Sequence, residues 1–171
     1  MSSGNEGIEP LPKRKHVRLK GYDYSQNGCY FITVCTKDRK PLLSRIVGRD
    51  DLGAPIMQLT EIGAMVDQYL HAIPEHYPNV ILDHHVIMPN HIHLLLRICS
   101  GAPGTARPTI SQIIAVWKRL TNKEAGISLW QASFHDHVVR NDADYDAHWV
   151  YIDGNPARWD EDEYYTESNT I

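Results

Sequence analysis

The sequence predicts an α+β sandwich in which helices cover one face of an antiparallel sheet. Segments typical of strands and helices follow one another as strand, helix, strand, strand, helix, strand, helix, an order typical of mixed α and β layers. The second and third strands are separated only by Pro89-Asn90, and so short a connection requires antiparallel pairing. The length of 171 residues, with 42% hydrophobic and 22% charged residues, is that of one ordinary globular domain.

The first half of the chain is expected to supply a strand, a connection and a helix. Residues 29–36 are rich in aromatic and β-branched side chains, which favour a strand. Residues 37–59 are expected to be an irregular connection, because prolines and glycines interrupt them. Thr60 is expected to cap a helix with an apolar stripe, and Pro74 is expected to end it.

The second half completes a ferredoxin-like order of elements. Residues 80–88 and 91–98 are predicted to form a hairpin around the Pro-Asn turn. A capping box that opens at Thr109 predicts a helix ending at Gly126. A short strand at residues 134–139 then gives the six elements of a ferredoxin-like sandwich.

One domain is expected, with a tail on either side. The domain spans residues 13–159; residues 1–12 are expected to be disordered, and residues 160–171 to form a loosely held acidic tail. Within the domain, a last helix is expected to begin at the cap Asp142 and to end before Pro156. Its inward side chains are expected to be Tyr145, His148, Trp149 and Ile152.

Charge is divided unevenly along the chain. The net charge of -4 by itself argues against a nucleic-acid ligand. Residues 136–171 nevertheless contain ten acidic residues and two basic ones, so the rest of the chain is basic. A basic run near the N-terminus is compatible with phosphate binding and equally with a solvated surface. This run contains Lys13, Arg14, Lys15, Arg18 and Lys20.

Other features point to a cytoplasmic protein without a membrane partner. No apolar run approaches the roughly 18 residues that a membrane-spanning helix needs, and the N-terminus has no apolar segment typical of a secretion signal. The cysteines Cys29, Cys35 and Cys99 form no CxxC pair. Neither a disulfide framework nor a cysteine zinc site is therefore indicated.

The candidate site lies where the predicted hairpin turns. Strand alternation places His91 and His93 on one face and apolar residues on the other, and two imidazoles so spaced can reach one cation. Partly exposed strand histidines are the alternative. On the last helix, Tyr151 and Asn155 are one turn apart on the same flank. A tyrosine packed at the rim of the helix and a polar residue at its end would account for these two equally well.

Several ordered segments resemble the single-tyrosine HUH transposases, and most closely the REP-associated tyrosine transposases. The matching motifs extend in order from about residue 13 to residue 165. They are residues 18–24, 30–39, 86–93, 130–131, 136–137 and 140–141, followed by Tyr151 and by Asn155-Pro156.

The resemblance implies a catalytic domain that nicks and rejoins single-stranded DNA near imperfect palindromes, as in DNA transposition and recombination. His91 and His93 match the HUH pair that binds metal, Tyr151 matches the nucleophile, and Asn155 matches a further ligand. The implied cofactor is Mg²⁺ or Mn²⁺, although imidazoles alone would suggest zinc. The implied intermediate is a 5′-phosphotyrosine. The basic run, with Lys118 and Arg119, would then contact the DNA backbone.

Some questions stay open at the level of sequence. The REP-associated branch implies a monomer, and a dimer with the tyrosine supplied across the interface is the alternative. A protein that binds hairpin DNA without cleaving it, derived from a transposase, is a second functional hypothesis. A zinc hydrolase built on the same sheet is a third.

Overall fold

The computed structural model describes residues 23, 26–51, 53–101 and 107–166. A four-stranded antiparallel sheet forms the centre of this part of the chain, with the strand order β4-β5-β1-β6. Its strands are β1 (Gly28–Cys35), β4 (Val80–Ile87), β5 (His91–Ile98) and β6 (His135–Val139). A separate two-stranded sheet contains β2 (Ser44–Arg49) and β3 (Pro55–Leu59).

Helices connect the strands in the order that the sequence predicts. The α-helices are α1 (Glu61–His71), α2 (Ile73–His76), α3 (Ile110–Ala125) and α4 (Asp142–Gly154), and 3-10 turns span Lys37–Arg39 and Pro156–Glu161. The predicted α+β, ferredoxin-like architecture is therefore confirmed. None of the described helices combines the length and the apolar character that crossing a membrane requires.

The sheet has one face packed on α1 and α3 and another packed on α4. Apolar side chains of β1 and β5 that alternate along the strands, such as Ile32 and Leu94, are fully buried in the core with Val66 of α1 and Ile113 of α3. The intervening residues of β1 and β5 lie on the α4 face. The alternation thus decides which side chains are available for chemistry.

The prediction that residues 37–59 form an irregular connection is wrong, because these residues contain the β2–β3 hairpin. The glycines and prolines mark its turn and its irregularities without preventing strand pairing. Gly53, with φ 82°, lies between the strands, and Pro55 is the first residue of β3, where a strand tolerates proline. The pairing register shifts between Ile46 and Gly48, as at a β-bulge.

The helix ends differ in detail from the predictions. Thr109 and Gln112 form the predicted capping box, and Gly126 ends α3 with φ 68°. In α4 the cap is Asn141 and not Asp142, because the Asn141 side chain accepts a hydrogen bond from the Asp144 amide. Pro74 lies in the first turn of α2, where a missing amide hydrogen costs little.

Gly63 allows α1 to approach the start of β2. A Cβ atom at this position would lie 1.8 Å from the Leu43 carbonyl oxygen, and a backbone atom cannot move aside as a flexible side chain can. Alanine favours helices by about 1 kcal/mol over glycine, but overpacking costs about 1–3 kcal/mol or more. We expect Gly63→Ala to lower the free energy of unfolding by about 2 kcal/mol in urea titrations.

Gly28 provides the matched control for this substitution. Its Cβ would meet only the Tyr30 side chain, at 4.0 Å, so Gly28→Ala should change stability by less than about 0.5 kcal/mol. Equal effects of the two substitutions would contradict the packing explanation.

Candidate functional site

The two predicted histidines lie at the start of β5, on the face of the sheet that packs against α4. His91 is 0% and His93 1% exposed. Their Nε2 atoms are 3.1 Å apart, so both lone-pair positions converge on one point. Two nitrogens at this separation can ligate the same cation.

Neighbouring polar groups fix the orientation of the His91 ring. Its Nδ1 lies 3.0 Å from the Asn90 Oδ1 atom. The Asn90 Nδ2 group donates to the carbonyl oxygens of Tyr164 (2.7 Å) and Arg39 (3.3 Å), which fixes the orientation of the amide. Since Asn90 Oδ1 only accepts, His91 Nδ1 carries the proton and Nε2 keeps its lone pair.

Thr33 holds the His93 ring in a similar way. Thr33 on β1 pairs with His93 across the strands, and its Oγ1 atom lies 2.8 Å from His93 Nδ1. Phe31 stacks on the same ring, with a centroid distance of 5.2 Å. Outer partners of this kind orient histidine ligands in metal sites.

Burial keeps both imidazoles neutral. Loss of hydration lowers the pKa of His91 to about 3, which the neighbouring Asn155 only partly opposes. Burial lowers the pKa of His93 well below its usual value, and repulsion from His91 lowers it further. At neutral pH neither ring has to lose a proton before it can bind a cation.

The predicted tyrosine reaches the histidine pair from α4. The ring centroid of Tyr151 lies 5.2 Å from that of His93 and 5.9 Å from that of Phe31. Burial is the largest cause that raises the pKa of Tyr151, and repulsion from Asp162 is the second. The positive charge of Arg158 opposes this shift. The Arg158 guanidinium lies 6.0 Å from the centre of the Tyr151 ring, where its charge favours the phenolate.

Polar contacts near both ends of α4 position Tyr151. His137 of β6 lies 2.9 Å from the Asp144 carboxylate near the start of the helix. Near its end, His84 of β4 lies 2.7 Å from the Asp153 carboxylate and stacks on Trp149 at 4.2 Å. The predicted inward side chains of α4 face the sheet: Trp149 stacks on His84, His148 contacts Phe31 of β1, Tyr145 lies beside Arg97 of β5, and Ile152 is buried.

Asn155 follows α4 and is 3% exposed. Its Nδ2 group donates to Asp162 Oδ2 at 2.9 Å. Its Oδ1 atom is buried and has no hydrogen-bond partner among the described residues. A buried acceptor without a hydrogen bond of good geometry is costly unless something else binds it, and here the Asn155 side chain lies close enough to His91 and Tyr151 to influence the pKa of both. The arrangement therefore has an oxygen donor available for a cation.

The prediction of a loosely held tail is wrong for residues 160–166, because this segment packs against the histidine pair. Tyr164 is 7% exposed, and its ring centroid lies 4.6 Å from that of His91. Asp162 is held by Asn155 and also accepts from the Tyr164 amide at 2.7 Å. Together with His91 and His93, Asp162 forms a group whose donor atoms lie within 4.8 Å of one another and could hold a metal ion.

Asp162 was not predicted as a site residue, because the sequence of this segment is dominated by acidic charge. The aromatic residues Trp159 and Tyr164, both buried, were the available signal, since buried aromatics rarely occur in a loosely held tail.

The turn after β1 also borders the site and was not predicted to do so. Asp38 and Arg39 have φ 57° and 53°, an uncommon conformation for residues other than glycine that costs free energy. The Arg39 guanidinium lies 5.1 Å from the centre of the Tyr164 ring and donates to the Glu163 carbonyl oxygen at 3.0 Å. This turn therefore contacts the segment that covers the histidines.

The basic residues are not brought to the histidines within the described structure. The run at residues 13–20 lies outside the described residues. Lys118 and Arg119 belong to α3, on the opposite face of the sheet. The Lys118 ammonium donates to the carbonyl oxygens of Gln131 (2.8 Å) and Ser133 (2.9 Å), whereas Arg119 is exposed.

The chain is similar in sequence to one known protein and in structure to another. An uncharacterized protein of Haemophilus influenzae is 32% identical over an alignment of 184 residues, gaps included. The alignment covers 95% of this chain and 97% of that protein. A solved structure of the REP-associated tyrosine transposase bound to a REP hairpin has a TM-score of 0.62 and 22% identity. The match covers 82% of this chain and 73% of that chain. No protein-family model matches.

Proposed function

We propose that this chain, which belongs to one family with the Haemophilus influenzae protein and has the fold of the REP-associated tyrosine transposase, cleaves and rejoins single-stranded DNA. The observation that carries this proposal is the convergence of three predicted groups. On the α4 face, the Tyr151 ring contacts His93, and the Nε2 atoms of His91 and His93 lie 3.1 Å apart. The Asn155 side chain interacts with both His91 and Tyr151.

A divalent metal ion is part of the proposal. His91, His93 and Asn155 would hold it, with Asp162 as a further candidate ligand. Neutral imidazoles and an amide oxygen are donor types that bind divalent cations, and burying such polar groups without a partner is costly. When bound, the ion would polarise the scissile phosphate and offset its developing charge. Its assignment as Mg²⁺ or Mn²⁺ rests on the sequence resemblance.

Tyr151 supplies the nucleophile. Its phenol loses the hydroxyl proton and its oxygen bonds to phosphorus, while the bond between phosphorus and the 3′ oxygen breaks. That oxygen takes up a proton and leaves as a free 3′-hydroxyl, and the phosphate stays on the enzyme as a 5′-phosphotyrosine. Arg158 favours the phenolate and so opposes the effect of burial on the Tyr151 pKa. Because the phosphoester bond is kept on the enzyme, a second 3′-hydroxyl can attack the phosphotyrosine and rejoin the strand.

Hairpin-bearing DNA is the proposed substrate class. The solved neighbour is bound to a REP hairpin, which supports this choice for a chain of the same fold. Lys13, Arg14, Lys15, Arg18 and Lys20, together with Lys118 and the exposed Arg119, are proposed to contact the backbone. For Lys118 this requires the ammonium to contact phosphate while it holds the Gln131 and Ser133 carbonyls, or to leave them.

The test is formation of a covalent adduct. A labelled single strand that contains a hairpin is incubated with the protein and Mg²⁺ or Mn²⁺, and products are separated under denaturing conditions. We expect a protein-linked 5′ product that EDTA prevents and that restored metal returns. Salt-dependent binding of the hairpin with no adduct under any metal would instead support a protein that binds DNA without cleaving it.

We also expect the tyrosine to act within its own chain, as in a monomer. Tyr151 and His93 of one chain are already in ring contact. A mixture of Tyr151→Phe and His93→Ala proteins, each inactive alone, should therefore form no adduct. Restored adduct formation in the mixture would contradict this expectation and support a dimer that supplies the tyrosine across its interface.

A further inference from the structure

A second cluster of metal-ligating side chains lies on the opposite face of the sheet. Asp67 and His71 are four residues apart on α1, and His85 lies on the edge strand β4. His85 pairs in register with the core residue Leu94, so it faces the α1 layer and not α4. The cluster is therefore separated by the sheet from His91 and His93.

The donor atoms of this cluster converge. His85 Nε2 lies 2.7 Å from Asp67 Oδ1, and His71 Nδ1 lies 3.6 Å from the same oxygen. One donor atom from each residue lies within 4.8 Å of the other two. The two imidazole rings are edge to face, with centroids 5.2 Å apart. Residues i and i+4 of a helix lie on the same face, so both side chains can bind one metal ion.

His71 is also held to its own helix. Its Nδ1 lies 2.9 Å from the Asp67 backbone carbonyl oxygen, and a metal ion bound by Nδ1 would replace this hydrogen bond. The His71 side chain is 61% exposed, whereas those of Asp67 and His85 are 33% and 20% exposed. The cluster is thus anchored on one side and open to solvent on the other.

The other two clusters among the described residues already have roles. His91, His93 and Asp162 belong to the proposed active site. His137, Asp144 and His148 are the third group, but the Asp144 carboxylate there accepts from the Arg140 amide at 2.9 Å, close to the start of α4. Asp67 lies in the middle of α1 and serves no cap.

We propose that Asp67, His71 and His85 form a second metal site, for Zn²⁺ or a similar borderline divalent ion, that ties α1 to the edge strand β4. Two imidazoles and one carboxylate are a common zinc donor set, and solvent can complete the coordination. The role is structural, because the site lies across the sheet from Tyr151. It does not depend on the proposed function, and it stands even if the chain forms no DNA adduct.

The experiment measures zinc binding by the full-length protein. Isothermal titration with ZnCl₂ and thermal melts with and without zinc are recorded for the wild type, His71→Ala and Asp67→Asn. We expect His71→Ala to lose one zinc equivalent, or to bind it at least about tenfold more weakly, because one ligand is gone. Zinc at about a hundredfold excess over Kd should raise the Tm of the wild type by about 5 °C or more.

His76→Ala is the matched control, since His76 is an exposed histidine of the adjacent α2 and belongs to no cluster of the described residues. It should keep the full zinc stoichiometry and the full thermal shift. Should Asp67→Asn fail to fold, the exposed position of His71 keeps the comparison valid. Equal zinc binding and equal thermal shifts in His71→Ala and the wild type would overturn the proposal, as would a wild type that binds no zinc here.

Discussion

Tyr151→Phe is expected to abolish the covalent DNA adduct, with a loss of at least about 10³-fold in the rate of adduct formation. Removal of a nucleophile is among the most damaging changes an active site can undergo. Phenylalanine keeps the aromatic ring that contacts His93 and Phe31 and lacks only the hydroxyl. Binding of the hairpin should therefore change by less than about twofold, because charged contacts to the DNA backbone, which Tyr151 does not supply, dominate the affinity.

Tyr145→Phe is the control on the same helix. Tyr145 lies six residues before Tyr151, and the Arg97 guanidinium lies 5.7 Å from the centre of its ring. This variant should form the adduct at the wild-type rate. Persistence of the adduct in Tyr151→Phe would refute the assignment, and loss in Tyr145→Phe alone would transfer the role to Tyr145.

Substitutions at the histidine pair are expected to have the second largest effect. His93→Ala removes one of two converging nitrogens and should lower adduct formation by more than about 100-fold, since even outer partners of metal ligands contribute 10- to 100-fold. Thr33→Val is the finer probe. It keeps the size of the side chain and removes the hydroxyl that lies 2.8 Å from His93 Nδ1. We expect about tenfold weaker metal affinity, measured as a higher Mn²⁺ concentration at half-maximal adduct formation.

Saturating Mn²⁺ should restore much of the activity of Thr33→Val and none of that of His93→Ala, because only the latter lacks a ligand. Urea titrations of both variants separate this effect from a loss of folding. If His93→Ala formed the adduct at the wild-type rate with the same metal requirement, the histidine pair would not hold the metal.

Strand alternation was sufficient to predict the surroundings of the histidine pair. The apolar residues of β5 had to face the helices, and this left His91 and His93 on the other face of the sheet. The helical period likewise placed Tyr151 and Asn155 on one flank of the last helix. Both patterns are local, so the sequence alone determines them.

The contacts made by distant segments could not be read in this way. Asp162 meets Asn155, His91 and His93 only because the chain turns back after Pro156. The β2–β3 hairpin was missed for a related reason, since its glycines and prolines resemble interruptions unless the pairing partner is known. Thr33 could be linked to His93 only once the strand register was fixed.

Peptide mapping of the DNA adduct tests most directly whether Tyr151 is the nucleophile. The protein is incubated with a hairpin-bearing strand and Mn²⁺, digested with protease and nuclease, and analysed by mass spectrometry. We expect a nucleotide joined through its 5′-phosphate to the peptide that contains Tyr151, and to no other peptide. Attachment at another residue, or hairpin binding with no attachment under Mg²⁺ or Mn²⁺, would contradict this expectation.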